Sequence, residues 1–409
     1  MYRKDAQYYK FCLYGFLKNL RFFEPFFILF LRYKGLSFTQ IGILYAAREI
    51  TTNLFEIPSG LMADAVGRKK SLMFSYILYI TSYLIFAFGQ GFWLFLFAII
   101  FYGMADAFRS GTNKAMIYHY LEVKGWSDYK VDYYGHTRSC SQLGSAISSL
   151  VAAAIVFLTN DYTAIYLYTI VPYVLGFFLI ASYPGWIDKG IKKKSRKASA
   201  RQVWQEFWQT VTNLRALRYL TNLSLLEAYH KALKDYIQPL IKQMAVAVPL
   251  VWLASVSTTQ RITVWIGIVY FVIYLLTAFA SRRASLLIKR RDNLAFWVNT
   301  LLMAALVIGM LSGWFSHQGL PVWAVVMFML IYILHNLRKP ISVAYLNNIF
   351  KTEVFASGVS TQNQIKTLLT AGISLILGWL ADVMGVGMAI VVVSFILLII
   401  SLLLRVDKK

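Results

Sequence analysis

Apolar residues run through this chain in stretches long enough to cross a bilayer, separated by short polar and charged clusters. A helix rises about 1.5 Å per residue, so about twenty apolar residues span the hydrocarbon core. Stretches such as 71–97 and 386–404 carry no charged side chain over that length. The pattern predicts helices at 11–31, 38–60, 72–91, 93–121, 134–158, 163–184, 217–243, 262–281, 293–312, 321–348, 357–381 and 386–404. These twelve spans define an all-α membrane protein. They fall into a bundle at 1–186 and a bundle at 216–409, joined by a basic linker at 187–215 that holds Lys192, Lys193, Lys194 and Arg196. Such a linker suits a cytoplasmic connection lying against anionic headgroups.

Composition agrees with the pattern. Hydrophobic residues make up 58% of the chain and charged ones 14%, against roughly a quarter charged in an ordinary soluble domain. The net charge of +23 would suggest nucleic acid in a soluble protein. Here the basic residues gather on alternate connections, with Arg32, Lys34, Lys242 and Arg261 on the opposite side. The positive-inside rule then places both termini in the cytoplasm and no nucleic-acid partner is expected. The first span reads as an uncleaved helix, and the expected location is a bacterial cytoplasmic membrane. Cys12 and Cys140 lie in or beside apolar segments and read as small buried hydrophobes, not a disulfide.

The halves echo each other. Arg109-Ser-Gly-Thr-Asn-Lys-Ala in the fourth span lines up with Arg338-Lys-Pro-Ile-Ser-Val-Ala in the tenth. Ser145-Ala-Ile-Ser in the fifth resembles Ala371-Gly-Ile-Ser in the eleventh. Two parallel, pseudo-symmetric six-helix repeats account for both matches.

Between the second and third spans stands Gly60-Leu-Met-Ala-Asp64-Ala-Val-Gly67-Arg68-Lys69. This segment resembles the signature loop of the major facilitator superfamily, Gly-x-Leu-Ala-Asp-Arg-x-Gly-Arg-Lys. It departs from that pattern at Ala65, where the family has arginine. The resemblance implies a secondary transporter of twelve helices in which Gly60, Asp64, Gly67, Arg68 and Lys69 form a gating loop that latches the halves together. The fifth span lacks the Gly-Pro-rich stretch of drug-proton antiporters, which counts against that branch.

Ionisable residues inside the spans are unevenly shared. Spans three, six, nine and twelve have none, whereas spans one, four, seven and ten have many. A charge at bilayer depth costs at least about 2.5–3.5 kcal/mol unless it faces protein or water. Spans one, four, seven and ten therefore surround a polar interior, and the family resemblance implies that they line a central cavity. Arg109 and Arg338 are expected to face each other across it. Leaving aside Arg218 and Lys242 at the two ends of the seventh span, eleven basic residues within spans outnumber the six interior carboxylates. Unpaired cations in a medium of low dielectric favour a bound anion, and arginine suits forked pairing with carboxylate or phosphate.

The expected substrate is therefore a small, anionic molecule. Its candidate ligands are Arg21, Arg109, Lys231, Lys234, Arg338 and Lys366. Candidates for proton coupling are Glu24, Asp106, Glu227, Asp235 and His335, with His230 as an alternative. No His-Glu-x-x-His, Cys-x-x-Cys, nucleophile elbow or phosphate-binding glycine loop is present, so no enzyme, metal site or cofactor is expected. A monomer in the lipid bilayer is the expected state. A lipid flippase that binds a headgroup phosphate, a drug antiporter and a non-transporting membrane sensor are the alternatives.

Overall fold

The computed structural model describes residues 4–187, 214–248, 256–290, 293–349 and 355–407. Among these residues every regular element is helical. The linker predicted at 187–215 lies almost wholly outside them. The chain divides into two compact units, Met1–Lys34 with Ile50–Lys197, and Gly35–Glu49 with Ala198–Lys409.

In the first unit, α1 (Ala6–Leu17) starts at Asp5, whose carboxylate accepts the backbone N–H of Tyr8 at 3.0 Å. That contact satisfies one of the donors a helix start leaves unpaired. The unit continues through α2 (Phe27–Tyr33), the later part of α3 (Phe38–Val66), α4 (Arg68–Phe88), α5 (Phe92–Arg109) and α6 (Thr112–Val123), and closes with α7 (Lys130–Thr159) and α8 (Ala164–Ala181). α4 packs on α5 and α8, and α1 packs on α7. A Cβ at Gly15 would lie 2.7 Å from Ser141 Oγ, and one at Gly144 would lie 2.6 Å from the Phe16 carbonyl oxygen. The two glycines thus let α1 and α7 approach backbone to backbone. Aromatic rings fill the core, with Phe30 and Phe86 at 4.6 and 5.0 Å from Tyr166.

The second unit contains the start of α3, then α9 (Leu214–Leu233), α10 (Ile237–Ala247), α11 (Thr258–Arg290), α12 (Leu294–His317), α13 (Pro321–Ile349) and α14 (Phe355–Leu403). Asp382 accepts the N–H groups of Phe38 and Thr39 at 2.8 and 2.7 Å, which caps the start of α3 with a carboxylate. α12 packs on α13 and α14, and α9 packs on α14. Leu220, Leu223, Val298 and Ile341 form part of the apolar core. α14 is interrupted at Gly385 (φ 82°), where the two last predicted spans meet.

Three spans predicted as continuous are broken. The first stops at Leu17 and resumes through a short 3-10 turn, Glu24–Phe26. The fourth is interrupted at Ser110 and Gly111, the latter left-handed at φ 71°. The seventh passes through a 3-10 turn, Lys234–Tyr236. Taking each broken span as one helix and α14 as two gives the twelve helices expected. Backbone that leaves the helix within a membrane must find partners in protein or in a polar cavity, so the breaks mark where polar chemistry collects.

Candidate functional site

The breaks in the first and fourth spans bring two arginines to one carboxylate. Arg109 Nη2 lies 2.9 Å from Asp106 Oδ1, and Arg21 Nη2 lies 3.7 Å from the same atom. The Tyr79 hydroxyl donates to Asp106 and accepts Arg109 Nε at 2.8 Å. Arg21 also donates to Tyr173 Oη at 3.0 Å and to Glu24 Oε1 at 3.1 Å. Its guanidinium stands 5.7 and 5.6 Å from the rings of Tyr79 and Tyr102, within cation–π range. Asp106 is buried. The arrangement neutralises Asp106 with hydrogen bonds as well as charge.

The four candidate cations of the second unit have partners of their own. Lys231 Nζ lies 2.5 Å from Glu49 Oε2. Lys366 lies 3.6 Å from Glu227 and donates to Asn363 Oδ1 at 2.8 Å. Lys234 lies 3.8 Å from Asp235, which accepts the Tyr45 hydroxyl at 2.6 Å. Arg338 is 2% exposed and donates to the carbonyl oxygens of Val298, Leu223 and Asn222 and to Asn222 Oδ1, at 2.9–3.1 Å. Four of the five N–H donors of a guanidinium are therefore held by the protein itself. The sequence suggests a ligand contact for Arg338; the geometry makes it a tie between α9, α12 and α13.

His230 and His335 stack face to face, with ring centroids 4.0 Å apart and planes inclined by 2°. Tyr332 meets His230 edge-on at 4.8 Å. His230 Nε2 and His335 Nδ1 are buried without a hydrogen-bond partner among the described residues. Glu227, Lys234, Arg338 and Lys339 are the charged neighbours of the pair.

A cavity of about 270 Å³ opens between α1, α6 and α7 in the first unit. Lys18 and Asn19 enter it from the break after α1, and Asn113 from the first turn of α6. The remaining polar wall is one face of α7: Tyr134, Thr137, Arg138, Ser141, Gln142 and Ser145. Their spacing of three and four residues puts them in a single stripe. Among the described residues neither Lys18 nor Arg138 is in an ion pair, and the cavity lining contains no carboxylate. Lys18 and Arg138 are legible in the sequence as in-membrane cations, yet they are absent from the candidate set chosen by mid-span position. The α7 stripe, visible as a helical polar period in an apolar span, is the signal that would have found them.

The signature loop is ordered within the first unit. Gly67 has φ 107°, a conformation that side chains oppose, and begins α4. Arg68 lies 4.0 Å from Asp64. Lys69 Nζ donates to the carbonyl oxygens of Ala181, the last residue of α8, and Tyr183 just beyond it, both at 2.7 Å. Gly60 sits within α3 with open space at its Cβ position.

Helical bundles, broken spans and this loop define a multi-pass membrane protein of the transporter class. The chain belongs to the Major Facilitator Superfamily, whose family model matches residues 15–371. A stretch of 90 residues is 36% identical to the uncharacterized MFS-type transporter YxaM of Bacillus subtilis (strain 168). That stretch covers 22% of this chain and 23% of the relative. Among solved structures, the nucleoside transporter NupG matches with a TM-score of 0.73 at 13% identity, over 98% of this chain and 97% of that one. A D-xylose-proton symporter matches at 0.67 and 14% identity over 98% and 96%. A POT family transporter in complex with a thioalcohol-conjugated peptide matches at 0.72 and 11% over 97% and 95%. At such identities the likeness shows the fold alone.

Proposed function

We propose that this protein is a secondary active transporter that moves a small anionic solute across a bacterial cytoplasmic membrane by alternating access, and that the cavity along α7 binds the anion. The observation that carries this proposal is the presence of Lys18 and Arg138 on one cavity lining that has no carboxylate. Two cations on one wall without a counter-charge repel each other, and a bound anion relieves that repulsion. The volume suits a small solute. Arg21, Arg109, Lys231, Lys234 and Lys366 each hold a carboxylate, which fits them to steadying the helices that move. Proton coupling falls to His230 and His335, because Glu24, Asp106, Glu227 and Asp235 all face a basic partner. Both termini are assigned to the cytoplasm, and the working unit to a monomer.

The test is uptake and counterflow of labelled organic anions by proteoliposomes containing the full chain. Lys18→Gln and Arg138→Gln should each weaken half-saturation by roughly ten- to a hundredfold, since a charge-assisted contact is worth about 1.5–3 kcal/mol. Unchanged half-saturation in both variants overturns the anion site. A lipid-scrambling assay on the same vesicles separates a flippase, which would move a labelled phospholipid, from a transporter of soluble anions.

A further inference from the structure

Besides the two cations, the cavity offers a row of hydrogen-bond acceptors. Thr137 Oγ1 donates its hydrogen to the Tyr134 carbonyl at 3.0 Å, Ser141 Oγ to that of Thr137 at 3.5 Å, and Ser145 Oγ to that of Ser141 at 3.3 Å. A hydroxyl has one donor and two lone pairs. With the hydrogen turned back onto a helix carbonyl, each of these side chains presents its lone pairs to a ligand. Asn19 repeats the pattern, since its Nδ2 donates to the carbonyl oxygens of Gly15 and Ser141, both at 2.9 Å. Its Oδ1 is the atom left for a ligand.

The wall is thus divided by chemistry. Lys18 and Arg138 supply donors and positive charge, while Asn19, Thr137, Ser141 and Ser145 supply acceptors. A carboxylate on an unsubstituted alkyl chain would satisfy the first group and leave the second facing carbon that cannot donate. An acceptor deprived of water and left unpaired is penalised more than a made bond is rewarded, so the acceptor row discriminates between ligands of equal charge.

Building on the anion site proposed above, we infer that the substrate is a hydroxylated organic anion: its charged group lies at Lys18 and Arg138, and its hydroxyl hydrogens are given to Asn19, Thr137, Ser141 and Ser145. The polar stripe on α7 is then a specificity element. Charge brings the ligand in, and the hydroxyls decide which anion stays.

The experiment is thermal stabilisation of the purified full-length protein in lipid nanodiscs by matched pairs. Each pair joins a hydroxylated anion to its counterpart without hydroxyls: gluconate with hexanoate, glycerate with propionate, and tartrate with succinate. Neutral glucose is the control for charge. At least one hydroxylated anion should protect at a concentration about tenfold or more below its counterpart, the effect of two or three made hydrogen bonds. Glucose should not protect. In Thr137→Val and Ser145→Ala the gap within that pair should narrow, while Lys18→Gln should weaken both members alike. Equal protection by both members of every pair overturns this inference and leaves the anion site standing. Protection by glucose equal to that by gluconate overturns the anion site itself. No protection by any hydroxylated anion overturns the inference as well.

Discussion

Arg109 Nη2 and Asp106 Oδ1 stand 2.9 Å apart, one helical turn from each other, at the end of α5 where the fourth span breaks. Arg21 reaches the same oxygen from the break in the first span. One buried carboxylate therefore links two interrupted helices. Removing it leaves two guanidinium groups facing each other without their shared anion.

Asp106→Asn is expected to destabilise the protein by about 3–5 kcal/mol, the range for breaking a buried charge pair. Anion affinity at the α7 cavity should change much less. Adding Arg109→Gln should restore part of the lost stability, giving a measurable coupling energy in a double-mutant cycle. Thermal stability and ligand affinity measured on the same three variants check this. Full additivity would mean that the pair does not couple.

Arg338 gives a second separation of stability from binding. Its fork joins main-chain oxygens of α9 and α12 to α13 and also holds Asn222 Oδ1, so Arg338→Met removes four charge-assisted bonds and leaves the buried Asn222 side-chain oxygen without that donor. A hydrogen bond to a charged donor contributes about 1.5–3 kcal/mol, so the loss of four should be at least about 2 kcal/mol. Arg338→Lys should rescue little, because a single ammonium cannot reproduce the fork. Anion affinity should remain near that of the parent. A large loss of affinity with unchanged stability would return Arg338 to the binding site.

These two arginines show how far the sequence carries the site. Hydropathy and charge period identify the twelve spans, and the concentration of charge in spans one, four and seven coincides with all three breaks. The partner of each cation is a matter of packing across sequence separations that no local pattern encodes. Lys231 meets Glu49 from 182 positions away, and Arg338 is satisfied by carbonyl oxygens, which every residue carries. The breaks themselves leave only faint local marks, such as Gly111 in the fourth span and Pro25 in the first.

The stacked imidazoles predict a pH dependence. Among the groups around the pair, Glu227 is engaged by Lys366 and Arg338 by carbonyl oxygens, with Lys234 and Lys339 adding positive charge. If the pair carries the coupled proton, His335→Gln should flatten the dependence of uptake on external pH. Counterflow, which needs no net proton movement, should persist. The readout is initial uptake against pH in proteoliposomes. A flat profile in Glu227→Gln with an unaltered one in His335→Gln would move the coupling to the carboxylate.

The signature loop should act on turnover and not on binding. Asp64 is half exposed and 4.0 Å from Arg68, and none of the loop residues lines the α7 cavity. Lys69 is different, because its two bonds at the end of α8 brace α4 against that helix. Asp64→Asn is therefore expected to lower the maximal uptake rate severalfold with ligand affinity and thermal stability nearly unchanged. Lys69→Gln, by contrast, should lower stability as well, since two main-chain carbonyls lose their ammonium partner. Ala65, where the family carries arginine, leaves Asp64 without that neighbouring positive charge, and Ala65→Arg should raise the rate if the aspartate works by charge pairing. The three variants need only rate, affinity and melting temperature. Equal losses of affinity and rate in Asp64→Asn would contradict a gating role and tie the loop to the substrate.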